Sequence, residues 1–288
     1  NQSKDHPCFI NASYYTVHTP IQPKREKLEK YQRKAEALGY TQKHDDGIPV
    51  WNSITRRRQD SPAYACMVES MDENIGRILQ TLKSLNLEKD TLVIFFSDNG
   101  GLCTGSSPNM PTSGLPLRAG KAWLYEGGIR VPLIIKFPGK IKAGTQISEP
   151  VVGTDLYPTI LDLLGLPLIP GQHMDGESLN PLLTGKNSFN REAIYFHFPH
   201  YHHINSMGPS GAIRKGDFKL IEVFETGKYE LYNVKEDIGE HLNLAPKMTK
   251  MVLDLANNLR QWRKRSEAKM AVLNQEYDPS SDFRKKKK

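Results

Sequence analysis

LVIFFSDNGG, residues 92–101, is an apolar run that ends abruptly in a carboxylate, an amide and two glycines. Its apolar character on both alternating faces predicts a buried strand, the kind that fills the interior of a parallel sheet in an α/β protein. Asp98 and Asn99 then sit just past its C-terminal end, where open α/β sheets bind ligands. Further along comes GKAWLYEGGIRVP, residues 120–132. Gly120 and the small residues Ala119 and Ala122 let backbone approach a ligand closely. Lys121 can there present its ammonium to a tetrahedral anion.

Each of these residues has a plainer reading beside the chemical one. Asp98-Asn99-Gly100-Gly101 is also an ordinary turn. As ligands, a carboxylate and an amide oxygen suit calcium or magnesium rather than zinc. Calcium wants about six to eight oxygens, so further ligands would have to come from elsewhere. Asp45-Asp46, the pair preceding them, lies in a polar stretch. Lys121 reads either as a solvated lysine or as the anion's partner. Glu126 and Arg130 read as an ion pair bracing the loop. His18 follows PCFINASYYTV (7–17), a predicted strand stopped by Pro20. It is either a strand-end imidazole or a group that donates to an anionic oxygen or protonates a leaving group. In YFHFPHYHH (195–203) the histidine spacing fits no standard zinc pattern. His200 and His202 are candidates for hydrogen bonds to a sugar hydroxyl, with surface polarity as the alternative.

Around these motifs the chain alternates helix and strand. Helices are predicted over 24–38, over 62–86 with Ser61 as cap and Pro62 at the first position, over 155–164, and over 247–265. Tyr64, Met67, Met71, Ile75, Ile78, Leu82 and Leu85 recur at helical steps and predict one continuous buried face. Strands are expected at 91–96 and 131–137, and residues 40–60 and 100–118 read as irregular. After residue 191 four short runs (193–198, 211–216, 218–224 and 229–234), separated by turn residues, predict antiparallel hairpins. The division expected is therefore an α/β part over 1–190, an α+β part over 191–266 and a basic tail over 267–288. Within 260–288, ten Lys/Arg stand against four Asp/Glu, which accounts for most of the net charge of +7. A solvated tail, rather than a nucleic-acid-binding face, follows from that confinement. No apolar run is long enough to span a membrane. Cys8, Cys66 and Cys103 form no C-x-x-C pair; Cys8 and Cys66 are expected to be buried and Cys103 exposed. NQSKDHPCFINASYY, which opens the chain, reads as the interior of a longer polypeptide.

Taken together these residues resemble the type I sulfatase family of the alkaline-phosphatase superfamily. YYTVHTPIQ (14–22), LVIFFSDNGG, LRAGKAWLYEGGIRVPLIIKFPG (117–139), GTDLYPTILDLLG (153–165) and MDGESLNPLL (174–183) each look like stretches of that fold's second half, in the family's order. GDFKLIEVFETGKYELYNVKEDIGEHLNLA (216–245) is similar to its small sheet-and-helix subdomain. The resemblance implies an α/β fold with a partial, mostly parallel alkaline-phosphatase-like sheet, flanking helices and a small C-terminal antiparallel α+β subdomain. It implies that Asp98 and Asn99 are two of four side-chain ligands to one calcium ion. Lys121 would bind the sulfate ester, and His18 would bind it or assist the leaving oxygen. It also implies a formylglycine nucleophile, made from the cysteine or serine of C/S-x-P-x-R. None of the three cysteines is followed by x-P-x-R, so that residue is expected on a missing N-terminal half. The function expected is sulfuric ester hydrolysis on a sulfated carbohydrate or aryl sulfate, inactive in this chain alone, by an exported protein. A non-catalytic module retaining the fold, or a related metal-dependent phosphodiesterase, are the other readings.

Overall fold

In the computed structural model, residues 6–40, 47–107, 109–186, 189–272 and 274–278 are described. The chain divides into two compact units, one of Asn1–Lys43 with Asp60–Glu88 and one of His44–Gln59 with Lys89–Lys288. Asp45-Asp46 and the final run of cations at 284–288 lie outside the described residues.

The first unit is a helical pair, α1 (Arg25–Ala37) and α2 (Pro62–Ser84). As predicted, Ser61 caps α2, its Oγ accepting from the Tyr64 N–H at 3.3 Å, with Pro62 opening the helix. The buried face is shorter than predicted: only Cys66 and Met67 are fully buried on α2, and Ile78 is 43% exposed. The reason lies in α1, which buries no residue and meets α2 through ion pairs, Lys27 with Glu69 and Glu73, and Lys30 with Glu69. Residues 7–17 form no strand. Aromatic and β-branched residues favour a strand only where a partner covers them, and Cys8, Phe9, Ile10 and Tyr15 are exposed.

Among its described residues the second unit holds three sheets. β1 (Ile48–Val50) and β2 (Ser53–Thr55), in a stretch expected to be irregular, join β4 (Thr104–Gly105) in the order β1-β2-β4. β3 (Val93–Phe96) follows the apolar run at 92–96, and β5 (Leu133–Lys136) lies beside it, Val93 opposite Lys136 and Phe96 opposite Leu133. That pairing is antiparallel, as is every named strand pairing among the described residues. The parallel neighbourhood expected for residues 91–96 is thus replaced here by a two-stranded antiparallel ribbon. The α/β character holds: between the strands run the short α3 (Glu126–Ile129), α4 (Leu156–Leu163) and α5 (Asn180–Leu183). Asp155, fully buried ahead of α4, accepts from the Val152 and Glu177 N–H groups and from both guanidinium arms of Arg191.

The C-terminal sheet is where expectation and structure agree best. β6 (Ile194–Phe198), β7 (Ser210–Lys215), β8 (Phe218–Val223) and β9 (Lys228–Asn233) form an antiparallel meander. Each face of this sheet is covered. Ile213, Leu220 and Leu231 pack under α6 (Thr249–Arg265), against Val252, Leu255 and Leu259. Ala212, Ile221 and Tyr232, on the alternate positions, pack against Trp123, Leu124 and Tyr125. The period of two along each strand therefore sorts side chains between a helix on one side and the segment after Lys121 on the other. A sheet roofed on both faces explains why its strands are so apolar.

Two cysteine expectations reverse. Cys8 is exposed and Cys103 is buried. The glycines make room for Cys103: a Cβ on Gly101 or Gly114 would come within 3.3 or 3.4 Å of its sulfur. Burial pushes the Cys103 thiol up to about 12, far above an ordinary cysteine. In a native thiol titration at pH 8, Cys8 is expected to react at once and Cys66 and Cys103 only after denaturant is added. Rapid native labelling of Cys103 would contradict this packing.

Candidate active site

Two loops carrying the predicted ligands are locked together by backbone. The Lys121 N–H donates to the Gly101 carbonyl at 2.9 Å, and the Gly100 N–H donates to the Gly128 carbonyl at 3.0 Å. Glycine is required at this contact. A Cβ on Gly100 would lie 1.8 Å from the Gly127 oxygen, and one on Gly128 would lie 2.1 Å from the Trp123 oxygen. The turn after β3 and the loop around Lys121 are thereby joined into one structure.

Within it, Asn99 is oriented by its own amide. Nδ2 donates to the Gly100 carbonyl at 2.9 Å, which leaves Oδ1 as the atom free to accept or to ligate. The Asp98 carboxylate is exposed and has no hydrogen-bond or ion-pair partner among the described residues. Two hard oxygens of this kind fit part of a calcium shell. Among the described residues no group of three or more His, Cys, Asp or Glu could complete a metal site.

Lys121 is half-buried between Ala119 and Ala122, both in left-handed backbone, with φ of 58° and 70°. For residues with a Cβ that conformation costs about 1–2 kcal/mol each, a strain of the kind that clusters at working sites. The next residues dock a third loop. Trp123 Nε1 donates to the Ile204 carbonyl at 3.2 Å, and Asn205 Nδ2 donates to the Ala122 carbonyl at 2.9 Å. This brings His202 into the electrostatic reach of Lys121. Burial lowers the basicity of the His202 imidazole, and the neighbouring His203, His200 and Lys121 lower it further. His202 is thus biased toward its neutral form. Its Nδ1 accepts from the Ile204 N–H at 3.4 Å, which places the ring hydrogen on Nε2 as a donor.

Of the sequence candidates, then, the backbone sets the Asp98-Asn99 turn against the Lys121 loop, and His202 lies within electrostatic reach of Lys121. His200 is exposed and packs on Phe198, with ring centroids 4.0 Å apart. His18 lies in the first unit, exposed, its Nδ1 donating to the Thr19 carbonyl at 2.7 Å, so that Nε2 faces outward as the available nitrogen. His197 is structural, Nε2 meeting the Lys269 carbonyl at 2.8 Å. Glu126 and Arg130 do pair, at 3.6 Å. The stronger partner of Glu126 is one that sequence reasoning missed: Lys219 on β8, wholly buried, 2.8 Å from Glu126 and 2.6 Å from Glu240. Burial raises the Glu126 carboxyl, but Lys219 and the arginines Arg214 and Arg130 more than offset this and hold it ionised. The signal was available in FKLIEVF, where a lysine occupies an inward position of a strand apolar on both sides.

Comparison with known proteins shows that the chain belongs to the sulfatase family. A family model described as "Sulfatase" matches residues 1–166, and one described as "N-sulphoglucosamine sulphohydrolase, C-terminal" matches residues 119–265. A protein of Formosa agariphila named "Sulfatase" is 34% identical over 281 residues, covering 90% of this chain and 46% of the relative. The crystal structure of Ps i-CgsB in complex with k-i-k-neocarrahexaose superposes with a TM-score of 0.71 at 29% identity, covering 90% of this chain and 50% of that one. BT4656 in complex with its substrate D-glucosamine-2-N,6-O-disulfate gives 0.59 at 29% identity, over 72% and 40%. The chain spans about half the length of the relatives it matches.

Two outcomes follow from this geometry. Gly128→Ala is expected to destabilise the protein by about 1–3 kcal/mol or more, as overpacking against backbone does, measured by denaturant unfolding. Lys121→Gln removes a cation from beside His202 and is expected to raise the imidazole's pKa, read from ring-proton NMR shifts. Because the folded value is depressed, His202 also makes the protein less stable as pH falls through the ordinary histidine range.

Proposed function

We propose that this chain, which belongs to the sulfatase family of the alkaline-phosphatase superfamily, carries the ester-binding side of a sulfuric ester hydrolase acting on sulfated glycans. The observation that carries the reading is the backbone lock between Gly101 and Lys121, which sets an ammonium and two hard oxygen ligands on one joined loop pair. Lys121 binds the sulfate oxygens, and its charge offsets the negative charge that builds there as the ester breaks. Asp98 and Asn99 would hold a calcium ion, which when bound polarises the sulfate group. His18, through Nε2, binds the ester or protonates the leaving oxygen. His202, a neutral donor beside Lys121, and His200 bind sugar hydroxyls. The glycan preference is supported by the ligands of the two solved structures, a neocarrahexaose and a disulfated glucosamine.

The nucleophile, a formylglycine, belongs to a segment outside this chain, since no cysteine here is followed by x-P-x-R. The division at 1–190, 191–266 and 267–288 is kept as part of this reading, and export from the cell as its setting. Among the described residues no helix is long and apolar enough to cross a membrane. Two measurements test the proposal. Inorganic sulfate is expected to shift the NMR signals of Lys121 and His202 in a saturable way, and Lys121→Ala to abolish the effect. 4-Nitrocatechol sulfate is expected to show no turnover by this chain above the Lys121→Ala control. Sulfate binding that survives Lys121→Ala overturns the assignment of the anion site, and clear turnover overturns the assignment of the nucleophile to another segment.

A further inference from the structure

We infer that Lys219 is a positioning residue for Lys121, acting through Glu126 and Glu240, which both meet its ammonium. The inference rests on the anion-binding reading of Lys121 given above. Lys219 and Glu240 are fully buried and Glu126 nearly so. Lys219 Nζ lies 2.8 Å from Glu126 Oε1 and 2.6 Å from Glu240 Oε1. The other oxygen of Glu240 accepts from the Glu126 N–H at 2.7 Å. The Glu240 carbonyl accepts from Arg118 at 2.7 Å, and the Arg118 carbonyl accepts from the Gly127 N–H at 2.9 Å. Lys121 therefore rides on a hoop whose two ends, Arg118 and Glu126, are fastened to one residue. Arg118 is fixed in turn by the Tyr125 ring, over which its guanidinium lies, and by the Tyr232 hydroxyl, to which it donates at 3.0 Å.

Two features argue that this triad serves geometry rather than stability alone. A buried ion triad is on average no more stabilising than apolar side chains of the same volume. Glu240 also holds left-handed backbone, φ 53°, which glycine would adopt without that strain. A side chain kept at such a position is kept for what its carboxylate holds. The charges facing the triad are Arg130 beside Glu126 and Arg214 on the neighbouring strand, opposite Lys219 in the β7–β8 register.

The test uses the whole chain with Lys219→Met, and with Glu240→Gln as a milder variant should the first not fold. Amide hydrogen exchange is followed residue by residue. Exchange at Lys121, Gly127 and Gly128 is expected to quicken at least tenfold, while Leu220 and Leu231, under α6, stay unchanged. Sulfate affinity is expected to fall about tenfold in Lys219→Met, and Lys219→Met is expected to add nothing in a Lys121→Ala background, as for residues acting through one another. A folded variant whose Lys121 exchange remains within twofold of the parent overturns the inference, as does uniform quickening across both faces of the sheet. Absence of sulfate binding in the parent chain overturns the anion-site reading instead, and the exchange measurement still decides the role of Lys219.

Discussion

The buried ammonium of Lys219, shared between Glu126 and Glu240, is the contact on which the second unit turns. Moving one charge from water into a protein interior costs several kcal/mol, and a mutual pair recovers this only with close geometry and with the remaining oxygens satisfied. Oε2 of Glu240 accepts the backbone N–H of Glu126, while Oε1 meets Lys219 at ion-pair distance without a hydrogen bond of good geometry. Burial still pushes the Glu240 carboxyl up, against the pull of Lys219. Such a contact tolerates little displacement. It fixes where β8 stands against the loop that carries Lys121.

The site inherits its order from that constraint and from glycine. Where the triad and the approach of Gly100 to Gly127 fix the far end of the loop, the Lys121 N–H on the Gly101 carbonyl fixes the near end. The result is a cation on a loop with two strained residues, Ala119 and Ala122, beside oxygen ligands at the end of β3. His202 adds a neutral donor to the same neighbourhood because Trp123 and Asn205 tie its loop down.

How much of this was legible depends on the range of the interaction. The four C-terminal strands, α2 and α6 were found within a residue or two, because each has its own period and its own turn or cap. The backbone contact between the Asp98 turn and the Lys121 loop was less legible: the glycines there read as room for a ligand, whereas they make room for each other's backbone. What failed were features decided by partners far away in sequence. Residues 7–17 have strand composition and no strand, the stripe on α2 meets a polar helix, and β3 pairs antiparallel to β5. Cys103 looked exposed because it follows a glycine turn, whereas those glycines are what bury it. Lys219 and Glu240 were passed over because each looks like a surface residue until the strand register puts it inside.

The double fastening of the Lys121 hoop bears on how this chain can vary through descent. Between Arg118 and Gly127 a single inserted or deleted residue would pull one anchor away from Glu240, so length there is frozen. The stretch from Ser106 to Leu117 carries no such double tie to one residue among its described residues, although Arg56 and Gln59 hold the Met110 and Ser113 carbonyls. Changes of length are therefore channelled into that preceding stretch, where growth leaves the doubly fastened turn untouched.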